Sequence, residues 1–220
     1  MKILIGCPTS VHKKYCLKEY VKAIKSLTYK NFDILLVDNS EGEEYYNEIK
    51  KELSCVKDEY FENARERIVH SRNLLRKKVL EEDYDYLLSL EQDVIPPKDI
   101  IENLLKWDKK IISALYFKTD PNGTLTPLLW IKDEIGIRKA YLDEVEQNKL
   151  VKAAAVGIGC ILIHKDVLKN IKFRYEKEKE GFDDVFFCDD AINNGFEVYC
   201  DTSIKCKHLI KGMDWENIKK

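Results

Sequence analysis

Short apolar runs and stretches of helically spaced apolar residues take turns along the first 115 positions of the chain. Lys2 to Ile5 reads as a strand, and Leu17, Tyr20, Val21, Ile24 and Leu27 then recur at the period of an amphipathic helix. Phe32 to Val37 is a second strand, running into Asp38-Asn39-Ser40, and a helix is predicted over 43–53. After a short segment around Val56, Ala64, Ile68, Leu75 and Val79 mark one face of a long helix that leads into an apolar strand, Tyr86 to Leu90. Pro96-Pro97 presets the first turn of the next helix, with Ile100, Ile101, Leu104 and Leu105 facing inward, and Ile111 to Leu115 is another short strand. Such alternation over short connections predicts an α/β domain with a mostly parallel central sheet flanked by helices.

Beyond residue 116 the pattern changes. Pro121-Asn122-Gly123 and the region of Gly136 predict turns, and LTPLLWI and VKAAAVGIGCILIH predict strands that pair antiparallel, a small antiparallel portion in the C-terminal half. YEKEKEG, 175–181, reads as an exposed loop. An amphipathic helix with Val185, Phe187, Cys188 and Ala191 follows, stops at Asn194-Gly195, and gives way to a strand at Phe196 to Cys200. In a final strand, TSIKCKHL, alternation turns Ile204, Cys206 and His208 to one face. No linker divides the chain, so 1–220 is expected to be one domain, with a first half over 1–115, a second half over 116–210, and a tail over 211–220.

Composition narrows the class. With 45% apolar and 35% charged residues and a net charge of −2, the chain is globular and makes no case for nucleic acid, since its lysine runs are short and interspersed with acids. Seven cysteines, an odd number without paired CxxC spacing and partly inside apolar runs, fit reduced thiols in a cytoplasmic protein. No stretch approaches the roughly 18 apolar residues of a transmembrane span, which leaves peripheral membrane association open.

The candidate chemistry lies at element ends. Glu91 and Asp93 follow an apolar strand directly, where open α/β sheets bind ligands and where oxygen pairs suit a hard divalent cation. Asp183 and Asp184 open a helix, and by themselves they fit a helix cap as well as a catalytic role. His208 points inward at the end of a strand, as a metal ligand or as a core histidine. Gly157 and Gly159 read either as room beside a ligand or as a β-bulge.

Taken in order, IGCPTS, LLVDNS, SRNLL, LSLEQDVIPP and FDDVFFC followed by GFEVYCDTSIKCKHL resemble the GT-A glycosyltransferases, and among them the family 2-like, hexosyltransferase-type enzymes. The resemblance spans most of residues 1–210 and implies a nucleotide-binding half over 1–115 and an acceptor and catalytic half over 116–210. Glu91 stands where the first Asp of the family's DxD motif is usual, and VDNS stands where VDDGS is commoner. The resemblance implies a GT-A fold and an inverting transfer of a sugar from a nucleoside-diphosphate donor to the hydroxyl of a glycan, lipid or protein acceptor. It further implies Mn²⁺ or Mg²⁺ held by Asp93 and His208. Pro8, Thr9, Asp38, Asn39, Arg72, Asn73 and Glu91 would bind the nucleotide, and Asp184, with Asp183 beside it, would be the general base.

Three other classes compete. A sugar nucleotidyltransferase would carry a glycine-rich phosphate loop near the N-terminus, and IGCPTSVHKK has no such series. A dinucleotide-dependent oxidoreductase lacks its GxGxxG for the same reason. A catalytically silent protein that binds nucleotide-sugar or glycan on this fold stays open.

Overall fold

A computed structural model describes residues 1–120, 122–179 and 181–210. The predicted tail over 211–220, and with it one position each of the 121–123 turn and the 175–181 loop, lie outside the described residues.

In chain order the first half runs β1 (Ile3–Thr9), a 3-10 turn over Val11–Cys16, α1 (Leu17–Lys25), β2 (Phe32–Asp38), α2 (Glu44–Ile49) and β3 (Cys55–Lys57). It continues through α3 (Ala64–Glu81), β4 (Tyr86–Leu90), β5 (Val94–Ile95), α4 (Ile100–Leu105) and β6 (Ile111–Leu115). The second half opens with the hairpin of β7 (Phe117–Thr119) and β8 (Leu125–Pro127). Next come β9 (Leu129–Lys132), β10 (Ile137–Lys139), α5 (Leu142–Val145), β11 (Leu150–Ala153) and β12 (Ala155–Val156). The last elements are β13 (Cys160–His164), α6 (Lys165–Asn170), α7 (Asp183–Asn193), β14 (Val198–Lys205) and β15 (Lys207–His208).

Eight strands form the central sheet in the order β11-β14-β6-β13-β4-β1-β2-β3. The expected mostly parallel sheet is corrected here, because the sheet is mixed. β13 runs antiparallel between β4 and β6, and β11 runs antiparallel to β14 at the edge. β13 is an apolar strand lying inside the sheet between two neighbours, and its apolar run carries no signal of direction.

Strand alternation builds two cores, one on each face. Leu4, Leu87, Ile161 and Cys200 pack with Leu75 and Val79 of α3 and Phe187 of α7. Ile3, Ile5, Leu88 and Ile112 pack with Leu17, Tyr20 and Ile24 of α1, Ile49 of α2 and Ile100 of α4. Gly6 admits the close seating of α3, since a Cβ there would lie 2.8 Å from Leu87 Cδ1 and 2.9 Å from Leu75 Cδ1. All seven cysteines are free thiols, six of them buried.

The expected strand at Phe196 to Cys200 and the start of TSIKCKHL are one continuous strand, β14, with a register shift between Asp201 and Lys205. The chain then breaks at Cys206, and β15 pairs antiparallel with β5, setting His208 opposite Val94. That short ladder, with Leu209 N–H donating to Asp93 O at 2.7 Å, brings residue 208 beside residue 93. No helix among the described residues is long and apolar enough to cross a membrane.

Candidate active site

Strands β1, β2 and β4 are mutually parallel, so Thr9, Asp38 and Glu91 arrive at one edge of the sheet. Because β13 runs the other way, its incoming end meets them there, and Glu91 N–H donates to Gly159 O at 2.8 Å. Over this edge opens a cleft of about 610 Å³, whose walls include Pro8, Thr9, Lys13, Asn39, Arg72, Glu91, Asp93, Tyr116, Asp183, Asp184 and His208.

One wall is built around Asp93, only 2% exposed. His208 Nε2 lies 3.4 Å from Asp93 Oδ2, and the Lys13 ammonium contacts the same oxygen. The imidazole is oriented from behind, with Nδ1 at 2.7 Å from Phe117 O. A carbonyl can only accept, so Nδ1 carries a proton, and Nε2, turned toward Asp93, donates to that carboxylate when protonated and offers a lone pair to a cation when it is not. Burial works to raise the Asp93 pKa, but the hydrogen bond from His208 and the Lys13 charge overcome it and hold the carboxyl at about 2. Its other oxygen, Oδ1, is buried and has no hydrogen-bond partner among the described residues.

The opposite wall is the start of α7, where Phe182 occupies the cap position and Asp183 and Asp184 fill the first turn. Arg72, 2% exposed, ties this turn to the sheet. Its NH1 donates to Ser89 Oγ at 2.5 Å and its NH2 to Glu91 Oε1 at 2.5 Å. Arg72 Nε lies 2.6 Å from Asp183 Oδ2, an ion pair whose N–H points past the oxygen, so neither atom has an aligned hydrogen bond. Burial pushes the Asp183 carboxyl up, Arg72 pulls it down, and the net direction is upward. Asp184 is half-buried and forms no ion pair among the described residues. Burial raises its pKa, reinforced by the charges of Asp183 and Glu91 against the N–H of Val185, and the result is about 6.

Two of the expected nucleotide contacts sit elsewhere. Asp38 is fully buried, with Oδ1 accepting from Ser40 Oγ at 2.6 Å and Oδ2 from Lys57 Nζ at 2.9 Å, and Asn39 rather than Asp38 reaches the cleft. Asn73 exchanges hydrogen bonds with the backbone of Phe173, donating at 2.9 Å and accepting at 3.1 Å, and joins α3 to the segment before α7. Neither side chain is part of the cleft wall.

The geometry fits a divalent cation in one particular way. Among the described residues no three His, Cys, Asp and Glu side chains form a ready-made cage. Asp93 Oδ1, which has no hydrogen-bond partner among the described residues, and His208 Nε2, once it gives up its proton, supply two donors of the right kind. A cation held by so few protein groups draws its remaining ligands from substrate phosphates and water, which is the usual arrangement for Mg²⁺.

No protein-family model matches the chain, and no curated protein sequence does. Solved structures do. A crystal structure of GalNAc-T7 with UDP, GalNAc and Mn²⁺ superposes with a TM-score of 0.69 over 94% of this chain, at 12% identity. The fold is shared with a glycosyltransferase. The chain spans 44% of that protein's length. The crystal structure of A197 from STIV matches at a TM-score of 0.54 and 16% identity, over 96% of this chain and 87% of that one. At these identities the likeness establishes the fold alone: a mixed central sheet flanked by helices, of GT-A-like form.

On that fold, three residues outside the sequence expectation shape the cleft. Gln92, 1% exposed between the two acids, accepts from Thr9 Oγ1 at 2.5 Å and donates to Lys13 O and Tyr45 Oη, each at 2.7 Å. It clamps the end of β1 and the 3-10 turn to the acidic loop. Lys13 itself had no signal beyond a two-residue lysine run. Tyr116 accepts from Gly159 N–H at 2.8 Å and meets His208 edge to face at 5.2 Å. It also accounts for both glycines, since a Cβ at Gly157 would lie 2.3 Å from Tyr116 Oη and one at Gly159 2.7 Å.

Proposed function

We propose that the protein is a metal-dependent, family 2-like glycosyltransferase that moves a sugar from a nucleoside-diphosphate donor to an acceptor hydroxyl with inversion. The observation that carries this reading is the pairing, across one cleft, of a carboxylate held at about 2, Asp93, with a carboxylate poised at about 6, Asp184. The shared fold of GalNAc-T7, solved with UDP, GalNAc and Mn²⁺, supports the same class.

Asp93 and His208 would hold Mn²⁺ or Mg²⁺, which when bound supplies positive charge to the departing diphosphate. Asp93 stays ionised across the physiological range, and Phe117 O keeps Nε2 of His208 facing it. Pro8, Thr9 and Asn39 line the edge where the nucleotide would lie. Arg72 pairs with both Glu91 and Asp183, partly offsetting their charge, and ties α7 to the sheet. Asp184, without a guanidinium of its own, takes the acceptor hydroxyl's proton during attack, and a base near pH 6 is ionised at neutral pH yet still basic enough to accept it. The acceptor is a glycan, lipid or protein hydroxyl.

The test is release of nucleoside diphosphate from a panel of nucleotide-sugars, with and without Mn²⁺ and candidate acceptors. Metal-dependent release is expected with at least one donor. Nucleotide binding without release from any donor would replace this reading with that of a binding protein on the same fold.

A further inference from the structure

The Lys13 ammonium stands on Asp93 Oδ2, the carboxylate to which the proposed function assigns the cation, and the inference drawn from this rests on that assignment. Lys13 belongs to the 3-10 turn, and its backbone is fixed at both ends. Its N–H donates to Ser10 O at 2.8 Å, and its carbonyl accepts from Gln92 Nε2 at 2.7 Å and from Cys16 Sγ at 3.0 Å. Gln92 is the neighbour of Asp93, so the lysine is anchored next to the carboxylate it contacts. Only its four-carbon stem is left to move, and that side chain is 34% exposed on the cleft side while the Asp93 side chain is buried.

A divalent cation entering on Asp93 Oδ1 meets a positive charge already on Oδ2, and two cations held by the two oxygens of one carboxylate repel strongly in a partly desolvated wall. The ammonium must leave, and it needs another anion. Glu91 is engaged by Arg72 NH2 at 2.5 Å. A diphosphate in the same cleft would offer that anion within the reach of the stem.

We propose that Lys13 is an internal competitor for the cation that becomes a ligand of the donor's diphosphate, so that the protein retains metal only together with nucleotide. Metal and diphosphate then bind cooperatively, each removing the other's penalty. An ordinary surface ion pair would not do this, because its loss would leave metal affinity unchanged or lower.

The experiment is calorimetric titration of the full chain with Mn²⁺ alone, for the wild type, Lys13→Met, Lys13→Arg, Asp93→Asn and the Lys13→Met, Asp93→Asn double variant. Circular dichroism melts confirm that each variant is folded. Lys13→Met should bind Mn²⁺ at least about tenfold tighter than the wild type, and Lys13→Arg, which keeps the charge, should stay within about threefold of it. The double variant should lose the gain. With UDP or GDP present, the wild type should gain Mn²⁺ affinity and Lys13→Met should gain less. Asp93-dependent Mn²⁺ binding that is equal or weaker in Lys13→Met overturns the role of Lys13 while leaving the metal site standing. Mn²⁺ binding that does not depend on Asp93 in any of these proteins removes the metal site, and this inference with it.

Discussion

Two acidic walls face each other across the cleft with the same side-chain type and opposite electrostatics. At the end of β4, Asp93 is almost wholly buried, yet its pKa falls to about 2 because His208 and Lys13 meet its charge. At the start of α7, Asp184 is less buried, yet burial lifts its pKa to about 6, the charges of Asp183 and Glu91 add to the rise, and Arg72, paired with those two acids, offsets it only in part. Burial alone therefore does not predict which acid is charged. The placing of the cations does, and it turns one acid into a permanent anion and the other into a proton acceptor near neutrality.

The largest effect that would test this contrast is on turnover. Asp184→Asn should slow transfer by about 10²–10⁴-fold while donor affinity, measured by calorimetry, stays close to wild type. The wild-type kcat/KM should rise with pH to a plateau above about 6, falling about tenfold per unit below it, since the base works only when ionised. Full turnover in Asp184→Asn would leave the two walls without distinct roles.

Next is the charge balance between them. Arg72→Met leaves Asp183 buried with an uncompensated charge, and chemical denaturation should show a loss of about 3–5 kcal/mol.

The contrast then predicts stability changes of opposite sign. Asp93, depressed in the fold, contributes stability that is present above the usual carboxylate range and is lost as pH falls toward 2. Asp184, raised in the fold, lowers stability as pH rises from about 4 through 6. At pH 7, Asp93→Asn should therefore cost about 1–2 kcal/mol and Asp184→Asn should gain about 1 kcal/mol, read from urea midpoints. Equal signs would show that burial, not cation placement, governs both. The smallest effect concerns the floor between the walls: Tyr116→Phe removes the acceptor of Gly159 N–H and should cost about 1 kcal/mol of stability.

Much of this was legible in the residue pattern. The helices over Leu17–Lys25, Ala64–Glu81 and Asp183–Asn193 and the strands feeding Asp38 and Glu91 follow from apolar periodicity, which acts locally. That Glu91, Asp93, Asp183 and Asp184 stand at element ends was equally visible. The fate of Asp38 was not, because Lys57, which occupies its carboxylate, lies 19 residues on and reaches it through the pairing of β2 with β3. Gln92 was hidden between two more conspicuous acids, and the reason for Gly157 and Gly159 lies in Tyr116, more than forty residues earlier. The direction of β13 escaped for a different reason: a buried apolar strand reads the same whichever way it runs.

The elements and the acids at their tips are written into the order of residues, since helical and strand periods and terminal residues are properties of neighbours along the chain. Only the tertiary structure decided which cation meets which acid. Lys13 is 80 residues from Asp93, and Arg72 is 111 from Asp183, so those pairings exist only after β1, β4, β15 and α7 converge on one edge. The electric field at a carboxylate depends on distance in space, and the division of Asp93 and Asp184 into anchor and base is a property of the folded chain.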